Sequence, residues 1–183
     1  MNQEYLSSIK KQFLNYKALG EKAFDQIEPE QLFQTFNENT NSIAVIVKHL
    51  WGNMLSRWTD FLTTDGEKPW RDRDAEFENN ITSKEELLQK WNEGWACLFN
   101  AIDSLKPEQL SAKVYIRTEE HTVMDALNRQ LAHYSYHVGQ IVYAAKLLKK
   151  SAWNSLSVPK NKSKEYNAAM FAEDKSRKKA ATK

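Results

Sequence analysis

Four stretches of this chain place apolar residues at steps of three and four, and almost nothing interrupts them. The first, Asn2 to Ile27, carries Tyr5, Ile9, Phe13, Tyr16, Gly20, Phe24 and Ile27 on one stripe. Such spacing puts side chains on one face of a helix. The second, Ser42 to Leu62, carries Ile43, Ile46, Val47, Leu50, Met54, Trp58 and Phe61; Asn39 to Ser42 offers several capping oxygens before it. The third opens at Thr82-Ser83, with Glu85 and Glu86 each three residues beyond a hydroxyl, the capping-box spacing. Leu87, Leu88, Trp91, Trp95, Leu98, Phe99 and Ile102 carry it to Leu105. The fourth, Thr122 to Lys149, shows Val123, Ala126, Leu127, Leu131, Tyr134, Val138, Ile141, Ala145 and Leu148 on its stripe.

Only five Gly and four Pro occur in 183 residues, which suits long unbroken helices and disfavours a sheet with many tight turns. Pro29 ends the first helix and Pro107 closes the third, while Gln31 to Phe36 reads as a short turn of helix and Val114 to Arg117 as an extended segment. Each stripe must be covered, and four amphipathic helices cover one another as an all-α four-helix bundle. The charged stretch from Asp65-Gly66 to Asn80 is a long loop that can cross the end of such a bundle. Residues 1–163 are expected to form the bundle domain. Residues 164–183 form a C-terminal extension, a basic tail that is partly helical or disordered.

Charge and cysteine content narrow the function classes. From Lys160 onward, eight Lys or Arg face three acids, a net of +5 against a total of +2, so the rest of the chain carries −3. Basic tails can attract nucleic acid. Here no aromatic residues interleave with the final basic cluster, so nucleic acid is disfavoured as a partner. Cys97 is the single cysteine and excludes an intrachain disulfide. Between Trp95, Leu98 and Phe99 it reads as a buried inert thiol. Trp51, Trp58, Trp91 and Trp95 read as core. The start Met-Asn-Gln-Glu-Tyr lacks the regions of a signal peptide, and no apolar run approaches a membrane span, so the expected location is cytoplasmic, with no membrane partner.

Against this plain background the histidines stand out. There are four: His49, His121, His133 and His137. His133 and His137 are one helical turn apart on the fourth stretch, the spacing at which two imidazoles share one metal ion. His49, flanked by Val47, Leu50 and Trp51 on the second helix, supplies a third ligand. The metalloprotease arrangement needs Glu directly after the first His, and Tyr134 stands there instead. Three imidazoles leave positions open for water or substrate, as a catalytic site does. His121, beside Glu119 and Glu120, reads as a surface or loop residue. Asn53, four after His49, Arg129, four before His133, and Gln140, three after His137, are placed to orient ligands or contact a substrate. Imidazole suits zinc, nickel, copper and iron alike. Two further readings share the pattern: a bundle whose metal is structural or regulatory, as in a binding or stress-response module, and a metal-free core of hydrogen-bonded histidines.

The segments Val47-Lys48-His49-Leu50-Trp51 and Asn128 to Ile141, which contains both His133 and His137, resemble the DinB/YfiT-like superfamily of metal-binding four-helix bundles. The stretches Glu119 to Val123 and Ser155 to Lys160 are similar to one uncharacterised branch of it, and the resemblance covers Asn2 to Ser163. It implies a divalent ion, usually zinc or nickel, held by His49, His133 and His137, and a homodimer. It also implies a small-molecule enzyme of the thiol transferase type, in which a low-molecular-weight thiol meets an electrophile at the metal.

Overall fold

The chain folds where its stripes and caps direct it, with ends trimmed by local chemistry. The computed structural model describes residues 2–181, with side chains through residue 172. Helix α1 spans Asn2–Phe24, α2 Ile43–Trp58, α3 Lys84–Ser104, α4 Val123–Lys149 and α5 Ser163–Ala181. A short antiparallel hairpin, β1 (Lys113–Ile116) and β2 (Glu119–Thr122), precedes α4. The fold is thus mainly helical with one small two-stranded sheet. Among the described residues no helix is long and apolar enough to cross a membrane.

The caps fall at the expected hydroxyls. Ser42 Oγ accepts from Val45 N, Ser83 Oγ from Glu86 N, and Thr122 Oγ1 from Asp125 N. In return Asp125 accepts from the Thr122 backbone, closing a capping box on α4. Helix α2 stops at Trp58, four residues short of the expected Leu62. Asp60 takes a positive φ of 48°, and its carbonyl accepts from the backbone of both Thr63 and Thr64, so a turn replaces the last helical bonds. The expected turn of helix at Gln31–Phe36 instead occupies Pro29–Phe33. There Pro29 starts the turn and the Gln31 side chain accepts from Glu28 N.

Contacts structure the helices as a closed ring of neighbours: α1 touches α4 and α3, and α2 touches α3 and α4. Phe13, Phe24, Trp91, Trp95 and Tyr134 are the largest side chains sealed inside. Gly20 lets α1 approach α3, since a Cβ there would stand 2.6 Å from the Trp91 ring. Trp58 and Trp91 are core as expected, but Trp51 is half-exposed, its Nε1 donating to Glu93 and its ring lying under Lys90. Helix α2 differs from the others in being buried on nearly all sides, polar residues Lys48, His49, Asn53, Ser56 and Arg57 included. An all-round buried helix needs cover on its outer side. The long loop after it provides that cover. Ser56 Oγ donates to Gly66 O and accepts from Lys68 N, and Lys48 Nζ donates to Ala75 O, to Glu78 O and to Asn80 Oδ1.

The chain divides into two units, Met1–Lys150 and Ser151–Lys183. The second contains α5, with Tyr166, Met170 and Phe171 exposed. Trp153 and Leu156 are half-buried. The side chains of the final basic cluster, from Lys175 on, and residues 182 and 183 altogether, lie outside the described residues.

The hairpin turn is held from outside. Arg117 and Thr118 both have positive φ, 55° and 66°, in a two-residue turn that ordinarily selects Asn-Gly. The Asp65 carboxylate accepts from the backbone of Glu67, Arg117 and Thr118 at 2.7, 2.8 and 2.8 Å. Burial pushes the Asp65 carboxyl up, but these three backbone bonds outweigh it and leave it below its ordinary value. A depressed carboxyl contributes stability above its unfolded value of about 3.9 that is lost as pH falls through the folded one. Asp65→Ala is therefore expected to destabilise the fold by about 1 kcal/mol at neutral pH, solvent screening included. The difference from the parent should shrink in urea titrations below pH 4, and a variant as stable as the parent at pH 7 would contradict this account.

Candidate metal centre

The three histidines come from two helices and meet. His49 projects from α2, and His133 and His137 from successive turns of α4. Their ligand atoms lie within 4.8 Å of one another. His133 Nε2 is 3.4 Å from His49 Nε2 and 3.1 Å from His137 Nε2. Bonds of about 2.0–2.1 Å to a shared ion would set two nitrogens roughly 3 Å apart, so this spacing fits one ion.

Hydrogen bonds on the far side of two rings fix which nitrogen faces inward. His49 Nδ1 donates to Glu76 Oε2 at 2.9 Å, and His137 Nδ1 donates to Gln140 Oε1 at 2.8 Å. Each proton on Nδ1 leaves a lone pair on Nε2, aimed at the common point. His133 Nε2, between the two inward lone pairs, has at most one proton to offer them, whereas a cation at the common point is met by all three nitrogens. The donor set therefore fits a divalent ion, and His49, His133 and His137 could hold one. Burial, with His137, His49, Arg57 and Arg71 adding to it, lowers His133 to about 3, and burial also lowers His137 against the opposing bond to Gln140. Both imidazoles are neutral at neutral pH, the form that binds metal.

Glu76 is the residue that sequence reasoning missed. Its side chain is 5% exposed, in a one-turn 3-10 helix at Ala75–Phe77. Arg71 donates to it twice, from Nε to Oε1 at 2.7 Å and from Nη2 to Oε2 at 3.0 Å. Burial pushes the Glu76 carboxyl up, but bonds from His49 and Arg71 together bring it below its ordinary value, so it stays ionised. Phe77 stacks on the His49 ring from the same turn, 4.9 Å between centroids. One signal was available. Gly52 lies in the interior of α2, where glycine is unfavourable, and a Cβ there would stand 2.3 Å from Glu76 Oε1.

The other expected residues divide. Gln140 orients His137. Asn53 lines a cavity of about 160 Å³ that opens beside His49 and His133, and it accepts from the buried Tyr134 hydroxyl at 3.1 Å. That hydroxyl also accepts from Trp58 Nε1, so Tyr134 points into the core. Arg129 lines the cavity too, but its bonds run to His121 Nε2 at 3.1 Å and Glu119 at 3.4 Å rather than to the three histidines. His121 lies on β2, its side chain 15% exposed, because hairpin pairing with Val114 turns it toward Arg129 and not into a loop. Cys97 is half-buried near Thr59 and the Met54 carbonyl, and burial raises its thiol, so it is not activated.

These elements fall within a known family. The chain matches the model of the family described as "Protein of unknown function (DUF1572)" over residues 1–162, and it belongs to that family. No curated protein matches the sequence.

Two outcomes follow from this geometry. Gly52→Ala should displace Glu76 from His49 and lower zinc affinity by about 10–100-fold, as losing an outer-shell partner does. Competition with a chromogenic chelator measures this, and unchanged affinity would reject the role given to Glu76. In metal-free protein, the lowered His133 makes the unfolded chain take up a proton first. Stability is then full above about pH 6.5 and declines as pH falls toward about 3. His133→Gln should flatten Tm against pH across that window.

Proposed function

We propose that this protein is a DinB-like four-helix bundle that binds zinc or nickel through His49, His133 and His137. Its activity is the joining of a low-molecular-weight thiol to a small electrophilic substrate. The observation that carries this reading is the convergence of three imidazole nitrogens beside a cavity, with no carboxylate among the described residues close enough to join the set. A closed structural site would fill every position with protein groups. The ring of helices α1 to α4 supports the bundle class.

A divalent ion there would act as a Lewis acid that lowers the pKa of a thiol reaching its open side. The thiol proton goes to solvent and the sulfur lone pair forms the new C–S bond. The electron pair of the broken carbon–leaving-group bond departs with that group. The chain's own part is positional. Glu76 and Gln140 hold two rings in the ligating tautomer, and Asn53, fixed by Tyr134, presents its amide to the cavity. A homodimer is part of the proposal. Tyr136, Tyr143 and Leu147 form an exposed apolar strip on α4 and suit a second copy.

Elemental analysis of protein purified without a metal-affinity tag should find about one zinc or nickel per chain, and His133→Ala should lose it. Metal-loaded protein should consume a thiol with at least one member of an electrophile panel, and His133→Ala should not. Metal retained by His133→Ala would overturn the ligand set. Full metal with no turnover across several thiols would overturn the transferase reading and leave a structural or regulatory ion.

A further inference from the structure

The cavity beside His49 and His133 has a cationic wall. Arg57 from α2, Arg71 and Arg73 from the long loop, Arg117 from the hairpin turn and Arg129 from α4 all line it. Five guanidiniums meet three carboxylates: Glu76 bonds Arg71, Glu67 is shared by Arg71 and Arg117, and Glu119 bonds Arg129. Arg57 has none of them. It is 6% exposed, and its Nε and Nη1 are buried with no hydrogen-bond partner. Gln130, also on the wall and 2% exposed, has its Oε1 buried and unpartnered.

A buried guanidinium without a partner is costly, and so is a buried amide oxygen without one. Sequence register explains how Arg57 comes to this place. His49, Asn53 and Arg57 are at i, i+4 and i+8 on α2, so one helix face runs from the histidines along the cavity. Packing into the core favours an apolar residue at a position like Arg57. Nε and Nη1 are themselves shut off from the cavity, Nη1 packing against Gly66, so what Arg57 offers an anion there is uncompensated positive charge in the wall it lines. Carboxylate and phosphate both accept paired N–H bonds from arginine, and the exposed Arg73, Arg117 and Arg129 on the same wall can donate them. The cavity, about 160 Å³, is smaller than the roughly 300–1,000 Å³ of pockets for drug-sized molecules. It takes a small anion or the anionic end of a longer molecule.

We infer that the arginine-lined cavity binds the carboxylate or phosphate group of the substrate, with Arg73 and Arg129 donating to it and the unmatched charge of Arg57 drawing it in. The substrate's reactive end then lies against the three histidines. The placing of that reactive end rests on the proposed metal chemistry, whereas the anion site itself does not need the metal.

The test uses the full chain, purified without a tag, stripped of metal and held at fixed ionic strength in chloride. Isothermal titration with inorganic phosphate and with succinate is done before and after zinc loading, and the preference between the two tells phosphate from carboxylate substrates. At least one is expected to bind the metal-free protein. Arg57→Gln should weaken it by about tenfold, through loss of one guanidinium charge from the wall, with zinc still bound. If Arg57→Gln fails to fold, the exposed pair Arg73→Gln with Arg129→Gln should weaken the anion instead. Failure of both anions to bind, or binding that neither variant weakens, overturns the inference. Zinc binding without anion binding sinks the anion site alone. Anion binding without zinc binding sinks the metal reading and leaves the anion site standing.

Discussion

A single buried carboxylate organises this molecule. Glu76 is ionised at 5% exposure, and a charge so placed must be matched by partners or the fold loses several kcal/mol. The match comes from Arg71, through a two-pronged bond, and from the Nδ1–H of His49. Each partner constrains something else. Arg71 secures the long loop between α2 and α3, and His49 is held in one tautomer with Nε2 directed inward. Gly52 makes the arrangement possible, because any side chain there would occupy the position of the carboxylate.

The loop in turn completes the burial of α2. That helix has core on its inner side and polar groups on its outer side, and both are covered. Lys48 spends its ammonium on backbone and amide oxygens between Ala75 and Asn80, and Ser56 pins Gly66 and Lys68. Asp65 then carries the fastening to the hairpin by accepting from Arg117 and Thr118. One chain of hydrogen bonds therefore links α2, the loop and the turn before α4. The same chain gathers arginines from four places around one cavity. Positive charge that would repel in isolation is concentrated there by bonds made elsewhere.

Helix α4 contributes differently. Its two histidines need no distant partner to be aligned with each other, since the backbone sets their spacing. What α4 needs is a fixed distance from α2, and the sealed contacts of Tyr134 provide it. The Tyr134 hydroxyl accepts from Trp58 and donates to Asn53, both on α2, so the two helices that carry the ligands are tied by a buried polar bridge as well as by packing.

The sequence by itself determined the helices and most of their ends, because stripe periodicity and hydroxyl caps are local properties. It also determined that His133 and His137 share a face, and it singled out His49, Asn53 and Gln140. It left Glu76, Arg57 and Arg71 indistinct. In the run from Asp65 to Asn80 many residues are charged and none is periodic, so nothing local separates Glu76 from Asp74 or Glu78. Only the tertiary structure decided which carboxylate is buried, which guanidinium is left without a partner, and that His121 turns toward Arg129 rather than toward the other three histidines. The physical reason is one of range. A helix is written in bonds between residues four apart, whereas the worth of a charge depends on desolvation and on partners that folding brings from elsewhere in the chain.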